Sequence, residues 1–310
     1  MRSGNMGEFD LIATFRARTE PNSQLVIGIG DDCASLRFTP GREVLVTTDM
    51  LMDGRHFKLG EVTPEAVGYK AMAVNLSDIA AMAGEPVAAI VAVALPRGSA
   101  AEIAPRIHSG LLEAARGFGV AIVGGDTNAW DGPLVICVTL LGEVEPGQAV
   151  RRSGATVGDA ILVTGPLGGS LLGRHLRPVP RIAIARTLVG LGRIHAMIDV
   201  SDGLASDLVH ILEESGGLGA MLDADAIPIH PDAYAMATQD SRSALDHALN
   251  DGEDFELIFT IASEDVGMIR GLGAKVREIG TVTREPGLRL RSGTGDVVAI
   301  VARGFDHLAK

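Results

Sequence analysis

Short apolar runs rich in valine and isoleucine alternate along the chain with longer stretches of helical period. Leu25 to Ile29 predicts a first strand and Val44 to Thr48 a second. Val87 to Leu95 predicts a third, closed by Pro96, since proline cannot extend a ladder. Thr63-Pro64-Glu65 reads as a helix start, with threonine as the cap and proline in the first turn, and Gly84 as the stop. Ser99 and Glu102 stand in capping-box spacing, so a helix is expected from there to about Phe118. Val120 to Val123 and Leu134 to Leu141 complete the first half as strands.

Glu145-Pro146-Gly147-Gln148 is the best candidate linker. It puts one domain at residues 1–146 and a second at 147–310. The pattern then restarts with a strand at Ala160 to Thr164 and a helix near Arg181 to Leu191. A strand at Met197 to Val200, a helix from Gly203 to Ser215 and strands at Phe255 to Ile261 and Val276 to Val282 follow. Strands and helices mixed in both halves predict an α/β (α+β) chain of two layered domains. Its 310 residues, 46% of them apolar, suit two domains of roughly 100–200 residues each.

Charge narrows the function. Lys and Arg total 27 against 39 Asp and Glu, a formal charge of −12. Such a surface repels nucleic acid and anionic membrane, so any phosphate it handles needs a local reversal of sign. Bound divalent cations supply one. The two cysteines, Cys33 and Cys137, form no CxxC pair, and no long apolar run or leader-like N-terminus stands out. A cytoplasmic protein in a reducing compartment is the expectation.

The chemistry-bearing residues are aspartates placed where predicted strands end. Asp31 and Asp32 follow Gly28-Ile29-Gly30, Asp49 follows Thr47-Thr48, and Asp126 follows Gly124-Gly125. Asp199 and Asp202 flank Val200-Ser201 ahead of a helix. Strand ends are where loops of layered folds converge on ligands, although Asp and Gly also serve simply as turn formers. Asp78 shares one helical face with Val67, Ala71 and Val74. A carboxylate there either ligates a metal, pairs with Lys70 two turns away, or lies off the buried stripe. Oxygen ligands and few histidines favour magnesium over zinc or copper, and magnesium held by carboxylates implies a polyphosphate.

The familiar nucleotide motifs fail: Cys33 sits where a GxGxxG needs its last glycine, and no GxxxxGK[ST], HRD or DFG element occurs. Backbone amides at Ser201-Asp202-Gly203 could cradle a phosphate, or form an ordinary helix cap. Arg151 and Arg152 read either as a solvated pair or as a phosphate clamp.

The motifs Gly28-Ile29-Gly30-Asp31-Asp32-Cys33-Ala34, Thr47-Thr48-Asp49, Gly54-Arg55-His56-Phe57, Ala73-Val74-Asn75-Leu76-Ser77-Asp78 and Gly124-Gly125-Asp126-Thr127 occur in order. Arg152-Ser153-Gly154, Asp199-Val200-Ser201-Asp202-Gly203, Gly252-Glu253-Asp254 and Gly304-Phe305-Asp306-His307 follow. In register, from Gly7 almost to the C-terminus, they resemble the thiamine-monophosphate kinases, relatives of aminoimidazole ribonucleotide synthetase. The resemblance implies a two-domain aminoimidazole ribonucleotide synthetase-like fold, with an N-terminal domain that dimerises through its sheet and a C-terminal α/β domain. It implies ATP- and magnesium-dependent phosphorylation of thiamine monophosphate, with ATP between the domains. It assigns several magnesium ions to Asp32, Thr47, Thr48, Asp49, Asp78, Asp126, Asp199 and Asp202. ATP would contact Gly125, Asp126, Arg152, Ser201 and His108, and thiamine monophosphate would contact His56, Glu253 and Phe305. Asp251 stands where the family usually has glycine, Phe305 where it more often has Trp or Tyr, and His108 where it often has an aromatic. The segment 168–180 is shorter than usual. A selenophosphate synthetase would need a reactive cysteine in a glycine-rich N-terminal segment, absent from residues 1–9. An inactive magnesium–nucleotide binder and a phosphatase are the remaining alternatives.

Overall fold

The computed structural model describes residues 8–19, 22–191, 193–271 and 276–304. The chain divides into two compact units, residues 1–79 with 84–147, and residues 80–83 with 148–310.

The first unit runs α1 (Glu8–Ala17), β1 (Leu25–Ile27), β2 (Ser35–Leu36), β3 (Glu43–Met52), α2 (Pro64–Ala81), β4 (Glu85–Pro96), α3 (Ala100–Arg116), β5 (Ala121–Trp130) and β6 (Val135–Val144). Its four-stranded sheet has the order β3-β6-β4-β5, with β4 and β5 parallel and the other neighbours antiparallel. Parallel neighbours need a crossover, and α3 supplies it. Strand alternation divides the faces: Ile136, Val138 and Leu140 of β6 are buried, while Val44, Val46, Met50 and Met52 of β3 are exposed. Thr63 caps α2 as expected, its Oγ accepting the Ala66 N–H at 3.2 Å. The expected capping box at Ser99 does not form; its carbonyl, not its side chain, accepts the Glu102 N–H at 3.0 Å.

The strands run longer than their apolar cores. Thr47, Thr48 and Asp49 lie inside β3 and Asp126 inside β5, rather than after the strand ends. Backbone pairing carries β5 past its apolar start, Gly125 and Asp126 facing Val91 and Ala92 of β4. Ladder hydrogen bonds do not depend on side-chain polarity, so polar residues continue the strand.

The second unit runs β7 (Ala160–Val163), α4 (Ile182–Val189), β8 (Ile194–Asp199), α5 (Leu204–Glu214), β9 (Gly219–Asp223), α6 (Pro231–Ala237), α7 (Ala244–Asn250), β10 (Leu257–Ile261), α8 (Val266–Gly271), β11 (Arg277–Thr283), β12 (Gly287–Arg291) and β13 (Val297–Ile300). Its seven strands are ordered β13-β12-β9-β11-β7-β10-β8. Only β9 and β12 pair in parallel. Ile161, Ile198 and Ile258 of the sheet pack with Leu204, Leu208 and Ile211 of α5 in one core. That packing fixes the end of β8 and the start of α5, where Asp199 and Asp202 sit. The shortened segment 168–180 folds as two 3₁₀ turns, Ser170–Leu172 and Arg174–Leu176.

Candidate active site

Unit 1 brings four of the expected residues to one cavity of about 900 Å³. Asp32, His108, Gly125 and Asp126 line it, with Phe15 and Ile107. The volume suits a nucleotide-sized ligand. The His108 ring is 6% exposed and stacks on Phe15 with centroids 4.2 Å apart. Burial, and then the charges of Arg18 and Arg116, push its pKa down to about 4, so the ring is neutral near pH 7. Its buried Nδ1 has no hydrogen-bond partner among the described residues. A neutral ring with an unsatisfied nitrogen in a cavity wall is set up to exchange a hydrogen bond with a ligand. Gly125 is required for a steric reason, since a Cβ there would stand 1.9 Å from the Val91 carbonyl oxygen. Asp126 accepts a 2.7 Å bond from Asn128.

A second group joins β3 to α2. The Thr47 hydroxyl donates to Asp78, and Asp49 is hydrogen-bonded to the same carboxylate. Burial first, then the Asp78 charge, push Asp49 up to about 7. Two carboxylates held this close repel each other, and a divalent cation relieves that repulsion. Magnesium therefore fits these residues. Thr48 is not brought to the pair by its side chain. Strand alternation turns its hydroxyl to the other face, 3.1 Å from Thr139 and 3.4 Å from Cys137.

Among the described residues no three carboxylate, imidazole or thiol groups converge as a ready cation cage. Asp49 and Asp78 form a carboxylate pair, which suits magnesium because that ion binds through one or two carboxylates, with phosphates and water completing its shell.

His56 follows β3 in a tight turn. Its Nδ1 accepts the Met52 N–H at 3.0 Å, which leaves Nε2 to carry the ring proton, and its carbonyl accepts Lys70 Nζ at 2.9 Å. Lys70 is completely buried. Considered above as a partner for Asp78, it tethers the His56 turn.

In unit 2, Asp199 ends β8 and is 5% exposed. Of the two readings of the 201–203 turn, phosphate cradle or helix cap, the structure shows the Asp202 and Gly203 amides donating to Asp207, at 3.0 and 3.1 Å. Burial, with the charges of Asp199 and Asp202, pushes Asp207 up to about 8. The sequence signal for Asp207, an acid four residues into a helix whose first residues lack a capping side chain, was missed. Arg152 is exposed on the segment leading to β7, and the Arg151 carbonyl accepts the Met197 N–H at 2.9 Å. Ser201 precedes α5, and its carbonyl accepts the Glu253 N–H at 2.7 Å. Asp251 is buried rather than added to the site's charge, its oxygens taken by Arg242, His247 and the Gly169 N–H. Phe305 lies outside the described residues.

Both units match known domains. Residues 30–144 match the AIR synthase related protein N-terminal domain and residues 164–293 the corresponding C-terminal domain. The fold thus defines an AIR synthase-related protein. A thiamine-monophosphate kinase from Rhodopirellula baltica is 43% identical over 309 residues, covering 97% of each chain. A crystal structure of thiamine-monophosphate kinase from Stenotrophomonas maltophilia superposes with a TM-score of 0.81 at 35% identity, over 92% of this chain and 96% of that one. A structure described as AaThiL complexed with AMPPCP and TMP superposes with a TM-score of 0.77 at 30% identity, over 99% of both. The chain belongs to the thiamine-monophosphate kinase family.

Proposed function

We propose that this protein transfers the γ-phosphoryl group of ATP to thiamine monophosphate, giving thiamine diphosphate and ADP. The 43% identity to a thiamine-monophosphate kinase along 97% of both chains carries the reading. The relative solved with AMPPCP and TMP supports ATP and thiamine monophosphate as the reactants.

The acceptor is a phosphate oxygen, ionised near pH 7, so transfer needs no general base and no phosphoenzyme. Positioning and charge neutralisation carry the catalysis. Magnesium, when bound, supplies neutralisation of the phosphate oxygens. Thr47, Asp49 and Asp78 of unit 1 would hold it, and the family resemblance assigns Thr48, Asp32, Asp126, Asp199 and Asp202 to it as well. Gly125, Asp126, Arg152 and Ser201 contact ATP, and the His108–Phe15 stack borders its base. His56 offers Nε2–H to the acceptor phosphate. Glu253 pairs with the thiazolium cation, and Phe305 lies against the rings. Among the described residues no helix is long and apolar enough to cross a membrane.

The deciding experiment incubates the protein with ATP, magnesium and thiamine monophosphate and separates the products by chromatography. Thiamine diphosphate and ADP are expected in equal amounts, with no phosphorylation of free thiamine in a parallel reaction. Conversion of free thiamine, or inorganic phosphate released without any acceptor, rejects the assignment.

The sheet of unit 1 also fits a homodimer. Met50, Cys137 and Ala92 form one cross-strand row, and Thr48, Thr139 and Ile90 the next. Val46, 65% exposed, and Val44, Met50, Met52 and Ile90 make this face apolar. A contiguous exposed apolar sheet face marks an interaction surface, and a second copy matches it face to face. Val46→Glu should convert a dimer to a monomer in light scattering. An unchanged mass would remove the sheet from the interface.

A further inference from the structure

The loop that presents Glu253 follows a path its sequence does not favour. Glu253 and Phe255 both lie at φ +53°, after Gly252 at +72°. Left-handed backbone at non-glycine residues persists only where the surroundings impose it. Part of that imposition is local. A Cβ on Gly252 would stand 2.6 Å from the Ser201 carbonyl oxygen, and the Phe255 N–H donates to the Val200 carbonyl at 2.8 Å.

The rest comes from the two carboxylates that bracket Glu253. Asp254 accepts the Gly168 N–H at 2.8 Å and Arg174 Nη2 at 3.0 Å. Asp251 accepts the Gly169 N–H at 3.0 Å, and the Ser170 hydroxyl donates to the Gly252 carbonyl at 2.7 Å. Both bracketing side chains are 1% exposed, whereas Glu253 is half-buried. Asp251 is tied further, with Arg242 Nη1 at 2.8 Å and the wholly buried His247 ring at 2.9 Å. A buried carboxylate that accepts from several donors is rigid, because moving it strands several polar groups at once.

We propose that Asp251 is a positioning residue for substrate recognition. Locked between Gly169, Arg242 and His247, it holds Gly252, Glu253 and Phe255 in the left-handed conformations that aim the Glu253 carboxylate at a cationic acceptor. The 168–176 turns are the other half of this clamp. The inference rests on the assignment of Glu253 to the acceptor cation.

The test compares wild type with Asp251→Ala and Asp251→Asn in steady-state kinetics and in hydrogen exchange of the ligand-free proteins. Asp251→Ala should raise KM for thiamine monophosphate roughly tenfold, the loss of one charged contact, with KM for ATP within about twofold. Asp251→Asn keeps one acceptor oxygen, for either Gly169 or Arg242, and turns an amide donor toward the other, so it should recover only part of the loss. The amides of Glu253 and Phe255 should exchange faster in Asp251→Ala. Equal rises in both KM values, an unchanged KM for thiamine monophosphate, or unaltered exchange would overturn the clamp. If Asp251→Ala does not fold, Ser170→Ala reports in its place: it removes the tether to Gly252 and should shift KM the same way by about threefold, and no shift overturns the proposal. Wild type inactive on thiamine monophosphate but with protected amides at 253 and 255 would reject the substrate assignment alone.

Discussion

Asp78→Asn is expected to lower turnover by at least roughly 10²-fold, as loss of a group stabilising transition-state charge does, while making the magnesium-free protein more stable above pH 7. The two effects have one cause. Asp49 titrates at about 7 in the folded chain against 3.8 for an ordinary aspartate, through burial and then the Asp78 charge. A raised folded pKa means the native state holds that proton more tightly than the unfolded chain does. The resulting loss of stability begins as pH rises through the ordinary carboxylate range and is complete above about 7. Removing the Asp78 charge relieves part of it. Magnesium should raise the melting temperature of the wild type at pH 8 and do little for the variant. Differential scanning at pH 5 and pH 8, with and without magnesium, checks the sign. A variant that melts below wild type at pH 8 without magnesium would mean that Asp78 is held by a favourable partner instead of straining against Asp49.

That prediction shows where reading from residues succeeds and where it stops. The α2 start was legible because Thr63 and Pro64 carry local capping chemistry, and the structure places the bond to Ala66 where that chemistry requires it. The buried stripe of Val67, Ala71 and Val74 was legible as well. Its helical face alone does not single out Asp78. Lys70, Met72, Ala73, Asn75 and Leu76 are buried too, so α2 is enclosed nearly all round and a buried face sets few of its positions apart. Asp78 is half-buried, and its chemistry comes from β3, a partner no helical period reveals. Asp49 and Asp126 sit in mid-strand because ladder pairing, a nonlocal property, extends β3 and β5 through polar residues. β12 and β13 went unread because their alternation is short and much of it is exposed. The partners of Asp207 and Asp251 are not legible for a different reason: each accepts backbone amides, and an aspartate's spacing does not say which amides it will meet.

The second large effect is on the crossing of α2 and α3, and it runs against helix propensity. Gly110 lies inside α3, where Gly→Ala in isolation favours the helix by about 1 kcal/mol. In the fold, a Cβ at Gly110 would stand 1.9 Å from the Glu65 carbonyl oxygen, and one at Gly68 would stand 2.0 Å from that of Ile107. The helices therefore touch backbone to backbone, with Arg106 and Glu65 paired at 2.7 Å beside the contact. Neither obstructing atom is a flexible side-chain end, so alanine must push the helices apart. Overpacking of this kind costs about 1–3 kcal/mol, sometimes more, and outweighs the propensity gain. Gly110→Ala should lower the melting temperature by several degrees. It should also weaken binding of a nonhydrolysable ATP analogue, because His108 stands two residues away on α3 and lines the cavity. Gly267→Ala is the control: it too lies within a helix, α8, but its Cβ would meet nothing within 4 Å, so stability should hold or rise slightly. A Gly110→Ala protein that melts at or above wild type would show that the helices do not approach this closely. The positions of His108 and Asp78, each carried on one of these helices, would then need another explanation.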